Sequence, residues 1–198
     1  KNKTKKSLSQ LPEFKTLEKK ELVWLENQLV SVSIPAGKII SPQGQINNDI
    51  IFLNEGIIAA IYNNNKKNFI RDFYFNGNFF RDYQSYSNQE PSKFSIEAVT
   101  DSIIQKITHQ KLNEIIEHLP KIKSISGDLD KIGFINISKR LETMLIHNPE
   151  NRYLELLRER PFLLNEVPLY MIASYLGITD VALSRIRKRI SKPKRSLD

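Results

Sequence analysis

The hydrophobic pattern of this chain changes period at about Val30 and again between Ile107 and Gln110, and the second change restricts its fold more than any other feature. Before it, short runs rich in Ile, Phe, Val and Tyr alternate with turn residues. The runs are Val30 to Ile34, Ile50 to Leu53, Ile57 to Tyr62, Phe69 to Tyr74, Phe94 to Val99 and Ile103 to Ile107. Between them lie Pro35-Ala36-Gly37-Lys38, Pro42-Gln43-Gly44, Asn54-Glu55-Gly56, Asn63-Asn64-Asn65 and Asn76-Gly77-Asn78. Short strands recurring about every 8 to 12 residues with such punctuation predict an antiparallel sandwich or jelly roll. After the change the period is helical to the end. The expected class is α+β, an N-terminal antiparallel β jelly roll followed by helices.

The helical part divides at its prolines. Leu22, Leu25 and Leu29 already mark a short helix ahead of the strands, over residues 17 to 29. Residues 111 to 118 form a second one, closed by Pro120. Lys121 to His147 reads as one helix of about 40 Å at 1.5 Å per residue. Ile122, Ile125, Leu129 and Ile132 follow 3-4-3 spacing along it, an expected seam for pairing with a second copy. The seam falters at Asn136, beside Gly133. Asn148 and Pro149 then supply an N-cap and a first-turn proline to a helix that Pro161 ends.

Residues Leu169 to Ile190 carry the most information. Leu169, Ile172 and Leu176 are spaced i, i+3, i+7, and Leu183, Ile186 and Ile190 repeat that spacing. Gly177 lies between, where the chain must turn and only glycine adopts the left-handed conformation without strain. Thr179 suits an N-cap and Asp180 the first turn that follows. Small Ala173 permits close approach of the two helices. This is the pattern of a helix-turn-helix whose second helix enters a DNA major groove. Opposite its apolar stripe fall Asp180, Val181, Ser184, Arg185 and Lys188. Arg185 can bond both N7 and O6 of a guanine. Thr179, Arg187, Arg189 and Lys192 are expected on phosphates. Two apolar helices around a glycine also occur in proteins that never touch DNA; the basic face favours the DNA reading.

Charge agrees with it. Of 198 residues, Lys and Arg number 30 against 22 Asp and Glu, a net charge of +8 that favours an anionic partner. From Arg185 to Arg195 every charged residue is basic. The lysine-rich first residues read as a solvated end. The chain has no cysteine, which excludes disulfides, thiolate-held iron–sulfur or zinc, and a thiol switch. His109, His118 and His147 all lie outside the expected sheet and read as surface or helix-end residues. A cupin-type metal enzyme needs histidines on the strands, and residues 30 to 107 have none. No P-loop, G-x-S-x-G or H-E-x-x-H is found. Asp72 and Asp82 read as solvated acids. Neither an enzyme nor a cofactor is expected. No apolar run approaches the roughly 20 residues of a membrane span, and no leader is visible, so a cytoplasmic protein is expected.

A jelly roll, a long helix and a C-terminal helix-turn-helix, in that order, resemble the CRP/FNR superfamily of bacterial transcription regulators. Val167 to Thr179, continuing through Leu183-Ser184-Arg185-Ile186-Arg187-Lys188, is similar to the version common in Bacteroidetes, as is Arg152-Tyr153-Leu154-Glu155-Leu156-Leu157 leading to Pro161. The resemblance covers residues 17 to 190 and is most specific in the last 45 or so. It implies a cyclic-nucleotide-binding-like sensor domain (1–119), a dimerisation helix (120–147) and a winged helix-turn-helix (148–198). It implies a homodimer on a two-fold symmetric duplex, with RNA polymerase and an unidentified small-molecule effector as further partners and no membrane. Relatives carry Glu second in the recognition helix; here it is Val181, so the target sequence should differ.

The effector segment departs further. Relatives that bind cyclic AMP carry Gly-Glu and then Arg-Ser or Arg-Thr in a phosphate-binding cassette. The matching segment, Gly77 to Ala98, has Asn78 and Phe79 after Gly77, and Ser92-Lys93 where Arg-Ser is expected. Gly77, Asn78, Phe79, Ser92 and Lys93 are the implied effector contacts, and cyclic AMP is not the expected ligand. Phe79, Phe80, Tyr83 and Tyr86 read as core or half-buried residues, with an apolar pocket as the alternative. A cyclic-nucleotide-binding module that signals without DNA remains the competing function. An anion- or membrane-surface binder using the basic ends is a third.

Overall fold

The computed structural model describes residues 5–64 and 67–191. After 3-10 turns at Leu8–Gln10 and Pro12–Phe14 comes helix α1, Lys19–Glu26. The strands follow: β1 Val30–Ile34, β2 Ile39–Ser41, β3 Asp49–Glu55, β4 Ile57–Asn64, β5 Lys67–Phe75 and β6 Phe79–Arg81. Helix α2, Tyr83–Asn88, precedes β7 Ser95–Ala98 and β8 Ser102–Thr108. The rest is helical: α3 His109–His118, α4 Lys121–Ile146, α5 Pro149–Glu159, α6 Leu163–Glu166, α7 Leu169–Tyr175 and α8 Asp180–Ile190. The chain divides into two compact units, Lys1–Ser138 and Lys139–Asp198.

In the first unit the described strands form two antiparallel four-stranded sheets, in the orders β1-β8-β3-β6 and β2-β7-β4-β5. Strand alternation separates two apolar clusters. Ile51 and Leu53 of β3 join Ile58, Ala60, Phe80, Phe94, Ile96 and Ile104 in one cluster, with Val32 and Ile34 packed against it. Phe52, between them on β3, joins the other, with Leu8, Phe14, Leu25, Leu112 and Ile115. The same alternation on β6 gives Phe80 to the first cluster and Phe79 to the second. Each such Leu, Ile or Phe contributes about 1.5–3 kcal/mol on full burial. The tight β3–β4 corner depends on Gly56, at φ +105°, where a Cβ would lie 2.7 Å from the Asp101 carbonyl oxygen.

Periodicity predicts the longer elements well and omits the short ones. β2, β6, α2 and α6 span six residues or fewer, too few for a period to be read. Asn148 caps α5 as expected, its Oδ1 accepting from Asn151 N at 2.9 Å. Of the expected hairpin tip, Asn63 and Asn64 end β4, and Asn65 lies outside the described residues.

The seam on α4 requires a correction. Ile122 and Ile125 are buried in the chain's own second cluster, and Leu129 packs against it. Ile132 is 40% exposed. The first three positions of the 3-4-3 stripe therefore dock α4 onto its own sheet and N-terminal helices, and Ile132 lies outside that contact. At 3.6 residues per turn, Phe134, Ile137, Leu141 and Leu145 form a second stripe about 145° away. All four are exposed, Phe134 by 72% and Leu145 by 76%.

In the second unit the buried side chains include Tyr153, Leu156, Leu163, Val167, Ile172, Leu176, Leu183 and Ile186. α7 packs against both α6 and α8.

Candidate functional site

The turn between α7 and α8 is built locally. Gly177 N donates to Ser174 O and Ile178 N to Ala173 O, each at 3.0 Å, which closes α7 in a Schellman arrangement. That arrangement needs a left-handed residue, and Gly177 has φ +68°. A Cβ there would also lie 2.7 Å from Met144 Cε, so the close approach asks for glycine as well. Thr179 caps α8, its Oγ1 accepting from Ala182 N at 3.2 Å. Asp180 adds negative charge at the positive end of the helix.

Leu183 and Ile186 are buried, which fixes the rotation of α8. Val181, Ser184, Arg185 and Lys188 then share the opposite face, with Asp180 and Arg187 on its flank. All six are exposed, Val181 by 61%. Among the described residues no carboxylate is paired with Arg185, Arg187 or Lys188; Arg189 pairs with Glu150. The face offers an apolar contact, a hydroxyl and long cations, the groups that read base edges and hold phosphates. Lys192, also expected on phosphate, lies outside the described residues, as does any wing that follows α8.

Two arginines that the sequence reading did not single out hold this unit together. Arg152 Nη1 donates to the carbonyl oxygens of His147 at 2.9 Å and Met144 at 3.3 Å, satisfying acceptors left over at the end of α4. Burial and the neighbouring Arg140 pull its guanidinium below the usual range. Arg140 lies over the Tyr175 ring, 3.7 Å from its centre, and donates to the Tyr175 carbonyl. His147 pairs with Glu155 at 3.0 Å. No periodic signal marks such side chain-to-backbone bonds.

The segment Gly77 to Ala98 satisfies its polar groups internally. Asp82 is not a solvated acid: it is 3% exposed. Its carboxylate accepts from Ser85 N, capping α2, and from the Ser92 hydroxyl at 2.6 Å. Ser92 N donates to Gln45 O, and its carbonyl accepts from Gly44 N. Ser85 Oγ donates to Glu90 O at 2.6 Å and accepts from Asn47 N at 2.9 Å.

The five implied effector residues are not brought to one pocket. Gly77 and Asn78 make the β5–β6 turn, where Asn78 Oδ1 accepts from Phe75 N. Phe79 stacks on Phe14 and packs against Phe52 in the second cluster. Ser92 is buried on Asp82, while Lys93 is exposed. The jelly-roll core holds Phe80 and Phe94 edge-to-face, with exposed Tyr62 edge-on to Phe94 and half-buried Tyr74 edge-on to Phe80. Burial pushes the Tyr74 phenol well above its usual range. Tyr83 is exposed rather than half-buried.

Tyr86 is hydrogen-bonded to His109, beside an Arg81–Asp130 ion pair that joins β6 to α4. Burial and the Arg81 charge hold His109 below the ordinary imidazole range. His118 stacks on Trp24. Among the described residues no His, Asp and Glu side chains gather as a metal site, and no helix is long and apolar enough to cross a membrane.

With this geometry in hand, comparison with known proteins is decisive for the first unit. Residues 31–118 match the family model of the cyclic nucleotide-binding domain. Over that segment the chain is similar to a cyclic nucleotide-binding domain. No curated protein matches it in sequence. Solved structures share its fold at low identity. The c-di-GMP-responsive global regulator CLP of Xanthomonas campestris is 11% identical, with a TM-score of 0.70 over 87% of this chain and 91% of that one. A protein of Eubacterium rectale described as a CRP/FNR-family transcriptional regulator is 15% identical, with a TM-score of 0.67 over 91% and 86%. The catabolite activator protein of Thermus thermophilus is 18% identical, with a TM-score of 0.57 over 91% and 87%. The chain thus shares its fold with these solved structures along most of its length.

Proposed function

We propose that this protein is a non-catalytic, sequence-specific DNA-binding transcription regulator that acts in the cytoplasm as a homodimer. The observation that carries the reading is the outward face of α8, where exposed Arg185 and Lys188 stand beside Val181 and Ser184, with no carboxylate partner among the described residues. α7 and α8 act as a helix-turn-helix in a DNA-binding domain spanning 148–198. Residues 1–119 are the sensor and 120–147 the dimerisation helix. The regulators of gene expression that share the fold support this order of parts.

The stripe Phe134, Ile137, Leu141 and Leu145 forms the dimer seam, because an exposed apolar stripe on a long helix is covered best by a copy of itself. The dimer then reads a two-fold symmetric site. RNA polymerase is a further contact. The cassette is a self-satisfied remnant that does not take cyclic AMP.

Selection of duplexes from a random pool at physiological salt, with no ligand added, tests the reading. Enrichment of a two-fold symmetric site is expected; salt-sensitive binding with no sequence preference would overturn it. Leu141→Lys should yield monomers and lower affinity for the selected site at least 100-fold. A dimer of unchanged stability would refute the seam.

A further inference from the structure

The first unit is closed where a nucleotide would enter and open elsewhere. Phe80 and Phe94 are buried in the jelly-roll core, with half-buried Tyr74 and exposed Tyr62 packed edge-on against them. The cassette's buried donors are already used by the Asp82 carboxylate. A cavity of about 60 Å³ lies instead in the second cluster, on the other side of β3 and β6. Phe14 and Leu25 line it from the N-terminal helices, Phe52 and Phe79 from the sheet, and Ile125 and Leu129 from α4. Gln105 and Ser126 are the polar residues in its wall.

Three features give this cavity a binding chemistry. First, the lining is almost wholly apolar, which gives water few partners and favours an apolar guest. Second, its volume is less than half of the roughly 150 Å³ that accommodates benzene in an engineered cavity. Its guest therefore has only a few heavy atoms, and an acyl chain does not fit. Third, the lining residues on α4 belong to the stripe that docks this helix onto its own unit. A guest there changes the packing that sets where α4 sits on the sheet.

We infer that this cavity is an effector site for a compact apolar molecule, displaced from the cassette to the space beneath α4. As an effector site it rests on the DNA-binding reading above; as a binding site it stands alone. Occupancy stabilises the docked position of α4 by mass action.

Xenon is the probe. In the wild-type protein alone, the xenon NMR shift should move saturably with protein concentration. The emission of Trp24, the sole tryptophan, packed against this cluster, should change in parallel. Ser126→Leu fills the cavity from α4 and should abolish both responses. Leu29→Phe fills it from the α1 side and serves if the first variant fails to fold. No saturable response in the wild type, or an equal response in both variants, overturns the site.

Octanoate is the second arm. Protection by octanoate that both variants abolish would overturn the size argument and make an acyl chain the guest. The selected duplex is the third arm, with at least a threefold change in affinity expected under xenon for the wild type and none for Ser126→Leu. Xenon binding with unchanged DNA affinity overturns the effector role while leaving the DNA reading intact. Failure to select any duplex overturns the DNA reading, and the xenon arm still decides the cavity.

Discussion

The cassette segment and helix α8 are both short, polar stretches next to an apolar core, yet they use their polar groups in opposite ways. Between Gly77 and Ala98 the donors and acceptors turn inward. Asp82, Ser85 and Ser92 are buried and bonded to one another and to the backbone. On α8, Ser184, Arg185, Arg187 and Lys188 are exposed, while the Thr179 cap and the Arg189–Glu150 pair are used internally. A buried polar group must be satisfied within the fold, so it has little left for a ligand. An exposed cation with no partner is free to take one. The contrast separates a segment that keeps the shape of a binding site from one that keeps its chemistry.

The contrast can be broken most directly at Asp82. Asp82→Ala removes the α2 cap and leaves Ser85 N buried without its acceptor, while the Ser92 hydroxyl keeps Phe94 O, at an expected cost of about 1–3 kcal/mol. Urea unfolding measures it, and an unchanged midpoint would mean that the network contributes nothing. Arg185→Ala is the opposite experiment. Stability should hold while affinity for the selected site falls by about 1–3 kcal/mol, with specificity relaxed at one base pair. An equal loss on every sequence would place Arg185 on phosphate instead.

Thr179→Ala sharpens the comparison at the cap, where a side chain at the start of α8 is used internally. It should lower stability by about 1 kcal/mol, and thermal unfolding resolves this. The smallest effect is on pH dependence. His109 has its folded pKa held below the unfolded value of 6.5. The unfolded state therefore binds more protons, and stability falls as pH drops below 6.5 toward the folded value. His109→Asn should flatten the stability profile in that window, and identical profiles for both proteins would remove the histidine from the account.

Legibility in the sequence followed the range of the interaction. Gly177, Thr179 and Asn148 were readable because a left-handed turn or a helix cap is settled within a few residues. The rotation of α8 was readable because Leu183 and Ile186 are both periodic and buried. Asp82 was misread because a lone carboxylate among polar neighbours resembles a solvated acid, and its partner Ser92 lies ten residues on. The seam of α4 was misread for a related reason. Ile122, Ile125 and Leu129 announce a buried face, but spacing cannot say whether the cover is another chain or the helix's own sheet. Phe134, Ile137, Leu141 and Leu145 share a face too, but the stronger stripe before them drew the reading away.

The sequence by itself therefore determined the β-then-α order, the turn at Gly177 and the chemistry offered by α8, since each depends on local period, local φ or residue type. Tertiary structure alone decided that Asp82 is buried, that Phe80 and Phe94 pack in the jelly-roll core, that the void lies beneath α4, and which stripe of α4 stays exposed. Those four depend on which residues far apart in the chain come to lie within a few ångströms of each other, and a one-dimensional pattern does not record that.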